Sequence, residues 1–272
     1  MNDTNSRFPA FASRRIRLII AAICAVLLLI ILLLGAVPAS LLQSLIHQEL
    51  QGASDREVEI GAVSRDSFFS YSPVITVRDV RVAQPDWAGK GDFLIVKSIS
   101  ARVAVLDVIA GNAKPDRVRI DGLDISLIRS KEGRRNWDDD DADGDDENEN
   151  PAPVLTDLDI SNSHFSFTDR KRDLSLDGPI SVDSKNGLRA EASGTFLKSK
   201  ATLSITAGTI AGTDPSADYP FKLSLQSPAL QLTAKGQMQG VLNADRFTAS
   251  LSARAPTLKN LDRIIEAGLF GT

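Results

Sequence analysis

The chain has 272 residues, 43% of them apolar, with 31 basic against 35 acidic side chains, one cysteine and two histidines. That length buries a sizeable core, and a single cysteine excludes an internal disulfide, a CxxC redox pair and a cysteine-based zinc site. Nine of the acids fall within residues 138–149, leaving 26 acids against 31 basic residues elsewhere, a mild surplus too scattered to be a nucleic-acid footprint.

A short tail, residues 1–16, precedes 20 consecutive positions without a charge, 18–37, of which fourteen are Leu, Ile or Val. As a helix this run spans roughly 30 Å, the hydrocarbon thickness of a bilayer, so we expect one transmembrane anchor over 17–37. Arg7, Arg14, Arg15 and Arg17 precede the run and the first charge after it is Glu49, which keeps the N-terminus cytoplasmic and, in a bacterium, sends the rest into the periplasm as a single-pass inner-membrane protein. A cleaved signal peptide competes through Ala36-Val37-Pro38-Ala39, but its apolar region is shorter, about 7 to 15 residues. Cys24 is read as a small apolar residue inside the run.

Ser40 suits the cap of a short helix carrying Leu41, Leu42, Leu45, Ile46 and Leu50, ended by Gly52. From Val58 the apolar period drops from 3.6 to 2, as in Ile99, Ala101, Val103 and Val105, so the following chain is β. Three stretches, starting at Ile75, Val118 and Leu158, slip that parity once each, from Val77 to Val80, Ile120 to Leu123 and Ile160 to Phe165. An odd step turns the inner face outward unless the strand carries a bulge or a corner there, and Gly122 suits such a position. Alternation continues through Leu203 and Ile205, then Phe221, Leu223 and Leu225, then Leu230 and Leu232, then Phe247, Ala249, Leu251 and Ala253. No crossover helix interrupts it, so the sheet is expected to be largely antiparallel. Thr257 is placed to cap a last helix bearing Leu258, Leu261, Ile264 and Ile265. The apolar Leu269 and Phe270 so near Thr272 suggest the first part of a longer architecture, truncated or naturally short.

The boundaries are therefore a tail (1–16), an anchor (17–37), a first β region (38–137), an acidic loop (138–153), a continuing β region (154–255) and a terminal amphipathic helix (256–272). Asp139, Asp141, Asp143 and Gly144 match the opening of a calcium loop, but Asn150 stands where the bidentate Glu belongs and no helices flank it, so the run is read as a solvated loop without metal. His47 and His164 have no neighbouring nucleophile or metal-ligand motif. No GxSxG, GxxxxGK[ST], HExxH or GxGxxG occurs, so no enzyme activity and no cofactor are expected. Asn136-Trp137, after Lys131-Glu132-Gly133-Arg134-Arg135, reads either as a turn whose Trp plugs the end of the sheet or as a Trp packed beside a loop.

The single N-terminal span, the helix after it, Arg56-Glu57-Val58-Glu59-Ile60-Gly61, Val77-Arg78-Asp79-Val80-Arg81-Val82-Ala83-Gln84-Pro85, Val118-Arg119-Ile120-Asp121-Gly122-Leu123-Asp124-Ile125 and residues 133–137 together resemble the N-terminal region of the AsmA family. The resemblance covers most of residues 17–137. It implies an inner-membrane-anchored periplasmic protein of outer-membrane biogenesis, with restraint on assembly or targeting of outer-membrane proteins and, in larger relatives, phospholipid transfer through a chorein-like β groove.

The expected fold is mainly β: after the anchor and a short helix, a long, twisted, largely antiparallel sheet curls into a groove and ends in a short helix. Its inward residues would contact acyl chains: Val118, Ile120, Ile125, Leu127, Ile160, Phe165, Phe167, Leu203, Ile205, Leu223, Leu225, Leu230 and Leu232. The expected partners are the membrane, phospholipid and envelope or outer-membrane assembly proteins, with no nucleic acid. Alternation alone equally fits a closed sandwich serving as an anchored scaffold that acts through protein contacts, because both architectures put every second residue inside.

Overall fold

The computed structural model describes residues 56–66, 72–102, 104, 116–138, 157–210, 217–239 and 247–265. The expected anchor, the Ser40 helix, Cys24, His47 and the acidic run past Asp138 lie outside the described residues. Among the described residues, no helix is long and apolar enough to cross a membrane.

Twelve strands follow one another in the described chain: β1 (Val58–Ile60), β2 (Val63–Arg65), β3 (Val74–Ala83), β4 (Asp92–Arg102), β5 (Asp116–Arg129), β6 (Leu158–Asp169), β7 (Leu174–Asp183), β8 (Gly187–Phe196), β9 (Ser199–Ala207), β10 (Asp218–Ser227), β11 (Leu230–Gln239) and β12 (Phe247–Arg254), with a closing helix α1 (Leu258–Ile265). All belong to one open sheet ordered β1-β3-β4 and onward to β12, with β2 on β3 beside β1. β1 and β2 share one register on β3, Ile60 opposite Val80 and Val63 opposite Val77, so they are one strand broken at Gly61 and Ala62.

The parity slips are bulges aligned across the sheet. Asp79, Gly122 and Asn162 each adopt a left-handed backbone, φ 55°, 67° and 49°. Asp79 in β3 lies across from Lys97, and Lys97 from Gly122 in β5, because Val77 and Val80 pair with Ile99 and Val96, which pair in turn with Ile120 and Leu123. β4 therefore slips too, its inward residues passing from Val96 to Ile99. Since every strand along this line takes an extra residue, the register is unchanged on either side while the sheet bends. The line ends at β7, whose alternation from Leu174 to Val182 is uninterrupted. There the pairing with β6 shifts between Ile160 and Ser163 and absorbs the extra residue.

One pairing departs from the expected hairpins: β5 and β6 run parallel, Val118 beside Leu158 and Arg129 beside Asp169. The chain must therefore leave one end of the sheet at Arg129 and return to the other before Leu158, so residues 130–157 are a crossover without a described helix. Its start is fastened by Asn136. The pairing of β4 with β5 stops at Leu94 and Ile125, which leaves the last turn of β5 without a neighbour on that side. Asn136 replaces the missing strand: its amide nitrogen donates to the Ser126 carbonyl at 2.6 Å and to Gln84 Oε1 at 2.7 Å, its oxygen accepts from Ile128 N–H at 2.8 Å, and its own N–H donates to the Ile128 carbonyl. Fully buried, it delivers Trp137 onto Phe167, ring centroids 6.1 Å apart.

At the same end Asp169, 1% exposed, sits between two buried guanidiniums, Arg172 at 2.8 Å and Arg129 at 3.4 Å, and accepts the Arg172 N–H. The β8–β9 hairpin turns through Leu197 and Lys198, both left-handed, with Phe196 buried beneath. Thr257 caps α1 by accepting the Asn260 N–H at 3.3 Å, and the Asn260 amide ties the helix to the Ala229 carbonyl at 3.1 Å.

Candidate functional site

The thirteen expected lining residues share one face of the sheet. Cross-strand rows bring them together: Ile120 lies beside Ile160 and Ile125 beside Phe165, Leu127 beside Phe167. Further along, Leu203 lies beside Leu225, which lies beside Leu232, and Ile205 beside Leu223. Val118, Phe165, Leu225 and Leu230 are buried, at 8% exposure or less. The other nine, Ile120, Ile125, Leu127, Ile160, Phe167, Leu203, Ile205, Leu223 and Leu232, are half-buried.

That face is most exposed at the β12 end of the sheet. β3 and β4 put Ile75, Val77, Phe93, Val96, Ile99 and Ala101 almost wholly out of solvent. On β9 to β11 the corresponding residues are mostly half-buried, and on β12 Phe247 and Leu251 are 50% and 56% exposed. Phe221 and Phe247 meet edge to face, centroids 6.2 Å apart, at this more open end. Together the apolar positions form two clusters, one centred on β3 to β5 and the other on β6 to β11, with Ile125 and Phe167 packed against both. All twelve described strands belong to one sheet.

Several members were not singled out from sequence. Phe93, Leu94 and Val96 sit on the strand whose parity slip went unnoticed, Tyr219 continues the β10 alternation one step before Phe221, and Ile210 lies past the end of β9. β8 turns only small residues inward between Leu188 and Phe196, namely Ala190, Ala192 and Gly194. Space explains the last, since a Cβ on Gly194 would collide with the Ser175 carbonyl of the adjacent strand.

The opposite face is polar. Its strands carry Arg119 near Asp159 at 3.9 Å, and His164 between Asp177 at 3.1 Å and Asp124 at 3.7 Å. These last three, with Asp92, Ile95, Ser126 and Ser166, line a shallow hollow of about 300 Å³. Each ring nitrogen of His164 faces a carboxylate on a neighbouring strand, and the side chain is 43% exposed, the pattern of a hydrated cross-strand ladder. Among the described residues no group of three or more His, Cys, Asp or Glu is placed to hold a metal ion. Tyr219, 1% exposed, donates its hydroxyl to the Gly208 carbonyl at 2.6 Å, and burial pushes its pKa up to about 12.

No curated protein and no solved structure matches the chain. Residues 13–184, well over half of it, do match the model of the AsmA family, whose members are associated with the cell envelope, and the chain belongs to that family.

Proposed function

We propose that the chain is an inner-membrane-anchored periplasmic protein that holds phospholipid acyl chains against the apolar face of its sheet and so serves outer-membrane biogenesis. The observation that supports this reading is one twelve-stranded sheet whose inward apolar residues grow more exposed from β9 to β12, ending at Phe247 and Leu251. A soluble protein normally keeps such a surface covered, and a continuous one marks a place for an apolar partner. Hydrocarbon fits without a charged selector or a catalyst: each CH₂ removed from water contributes roughly 0.8 kcal/mol. The uncharged run 18–37 supports the anchor, and family membership supports the envelope setting.

The test is site-specific photocrosslinking of the full chain in native membranes, with a benzophenone side chain at inward Leu223 or Leu232 and, as controls, at outward Lys222 or Gln231. Phospholipid adducts at the inward pair alone are expected by mass spectrometry. Adducts at neither pair, or equally at both, defeat the lipid reading. Protein adducts at the outward positions with none of lipid inside favour an anchored scaffold that restrains outer-membrane protein assembly by contact.

A further inference from the structure

We infer that the end of the sheet where β5 and β6 finish is a docking surface for an anionic lipid bilayer. Three segments meet there: 84–91 between β3 and β4, 130–138 after β5, and 170–173 between β6 and β7. They and the adjoining Arg129 and Asp169 carry eight cationic side chains (Lys90, Arg129, Lys131, Arg134, Arg135, Arg170, Lys171, Arg172) against five acidic ones (Asp86, Glu132, Asp138, Asp169, Asp173), a local charge of +3 in a chain whose net charge is −4. Lys131, Arg134, Arg170 and Lys171 are exposed.

Charge by itself fits any polyanion, and two further observations select the bilayer. The first is Trp87, half-buried on a 3-10 turn (Asp86–Ala88) among these loops with the Arg134 guanidinium 5.1 Å from its ring centroid. An amphipathic indole beside exposed lysines and arginines is the composition of a membrane–water interface, where the ring sits at headgroup level and the cations meet phosphates. The second is position. Arg56 reaches this same end, its guanidinium donating to the Asp138 carbonyl at 3.3 Å and lying 5.2 Å from the Phe93 ring centroid. Only 18 residues separate it from the uncharged run 18–37, so the tether, even fully extended, holds this end within roughly 65 Å of the bilayer. To that extent the inference rests on the membrane attachment in the proposed function. It does not require that the apolar face hold lipid.

In the sequence the loop after β5 runs directly into the nine acids of 138–149. Neutralising part of that run should strengthen docking.

The experiment uses the full chain reconstituted in nanodiscs containing brominated phosphatidylcholine, with or without phosphatidylglycerol. Bromine quenches a tryptophan at headgroup depth, and the chain's only other tryptophan, Trp137, is buried. Quenching is expected in the anionic discs. It should fall to the neutral-disc level in the quadruple variant K131Q/R134Q/R170Q/K171Q and in 0.5 M salt, vanish in W87F, and rise when Asp139, Asp140, Asp141 and Asp143 are changed to Asn. Unchanged Trp137 emission in the quadruple variant shows that it still folds. Incorporation without quenching of Trp87, or equal quenching in neutral and anionic discs, overturns the docking surface and leaves the anchor standing. Failure to incorporate overturns the anchor and the docking surface together. Protection of Lys131 and Lys171 from acetylation by polyglutamate but not by anionic discs would assign the surface to an acidic protein instead, and overturn the inference.

Discussion

Asn136 stands beside Ser126, its side-chain amide donating to the Ser126 carbonyl at 2.6 Å where continued pairing with β4 would have supplied a backbone N–H. One side chain thereby seals the end of β5 and fixes where the crossover to β6 begins. Asn136→Ala leaves the Ser126 carbonyl and the Ile128 N–H without these partners, at about 1 to 3 kcal/mol each. A loss of about 3 kcal/mol is expected in urea unfolding. Asn136→Asp keeps the acceptor for Ile128 but presents a carboxylate to the Ser126 carbonyl and to Gln84 Oε1, and should be no better tolerated.

Asp169→Asn should be among the most damaging single changes at this end. It removes the carboxylate from between two buried guanidiniums, and breaking a buried ionic cluster in this way costs about 3 to 5 kcal/mol. Thermal unfolding of the variant checks it, and a shift as small as that of a surface substitution would contradict the buried cluster.

Backbone handedness gives two substitutions with opposite signs. Gly122→Ala places a side chain where φ is 67°, against Lys97, and should destabilise by about 1 to 2 kcal/mol. Lys198→Gly relieves a non-glycine residue at φ 63° in the β8–β9 turn and should stabilise by about 1 kcal/mol. Denaturant midpoints of the two variants should move in opposite directions.

Tyr219 makes stability depend on pH only in alkali. Its folded pKa, about 12, lies above the ordinary value near 10, so the protonated phenol favours the native state. That contribution is complete below pH 10 and is lost as pH rises from about 10 to 12, at up to about 1.4 kcal/mol per unit. Tyr219→Phe should be less stable than wild type near pH 7, by about 1 kcal/mol for the bond to Gly208, and should lack this part of the alkaline decline. The gap between the two proteins should narrow in unfolding curves taken from pH 9 to pH 12.

A side-chain period of two makes any odd step visible, so the bulges at Val77/Val80, Ile120/Leu123 and Ile160/Phe165 were legible before any coordinates, as was the helix capped by Thr257. The parallel pairing of β5 with β6 was not, since an alternating strand such as Val118 to Leu127 reads the same whichever way its neighbour runs. Asn136 was noticed but its work was hidden, because its partners depend on where the pairing of β4 with β5 stops. β8 was overlooked for a steric reason: backbone crowding near Gly194 admits only small residues, which give little hydrophobic signal. Alternation also says nothing about what covers a face, and so the exposure of Phe247 and Leu251 became evident only in three dimensions.

From β6 onward every strand pairs with the one just made and the one about to follow. A chain synthesised from its N-terminus meets, at each of these steps, a template already standing, and never waits for a distant segment. Length is accordingly a free variable of this design, because hairpins added or removed beyond β11 leave every earlier ladder untouched. Only the return from Arg129 to Leu158 demands patience of the emerging chain.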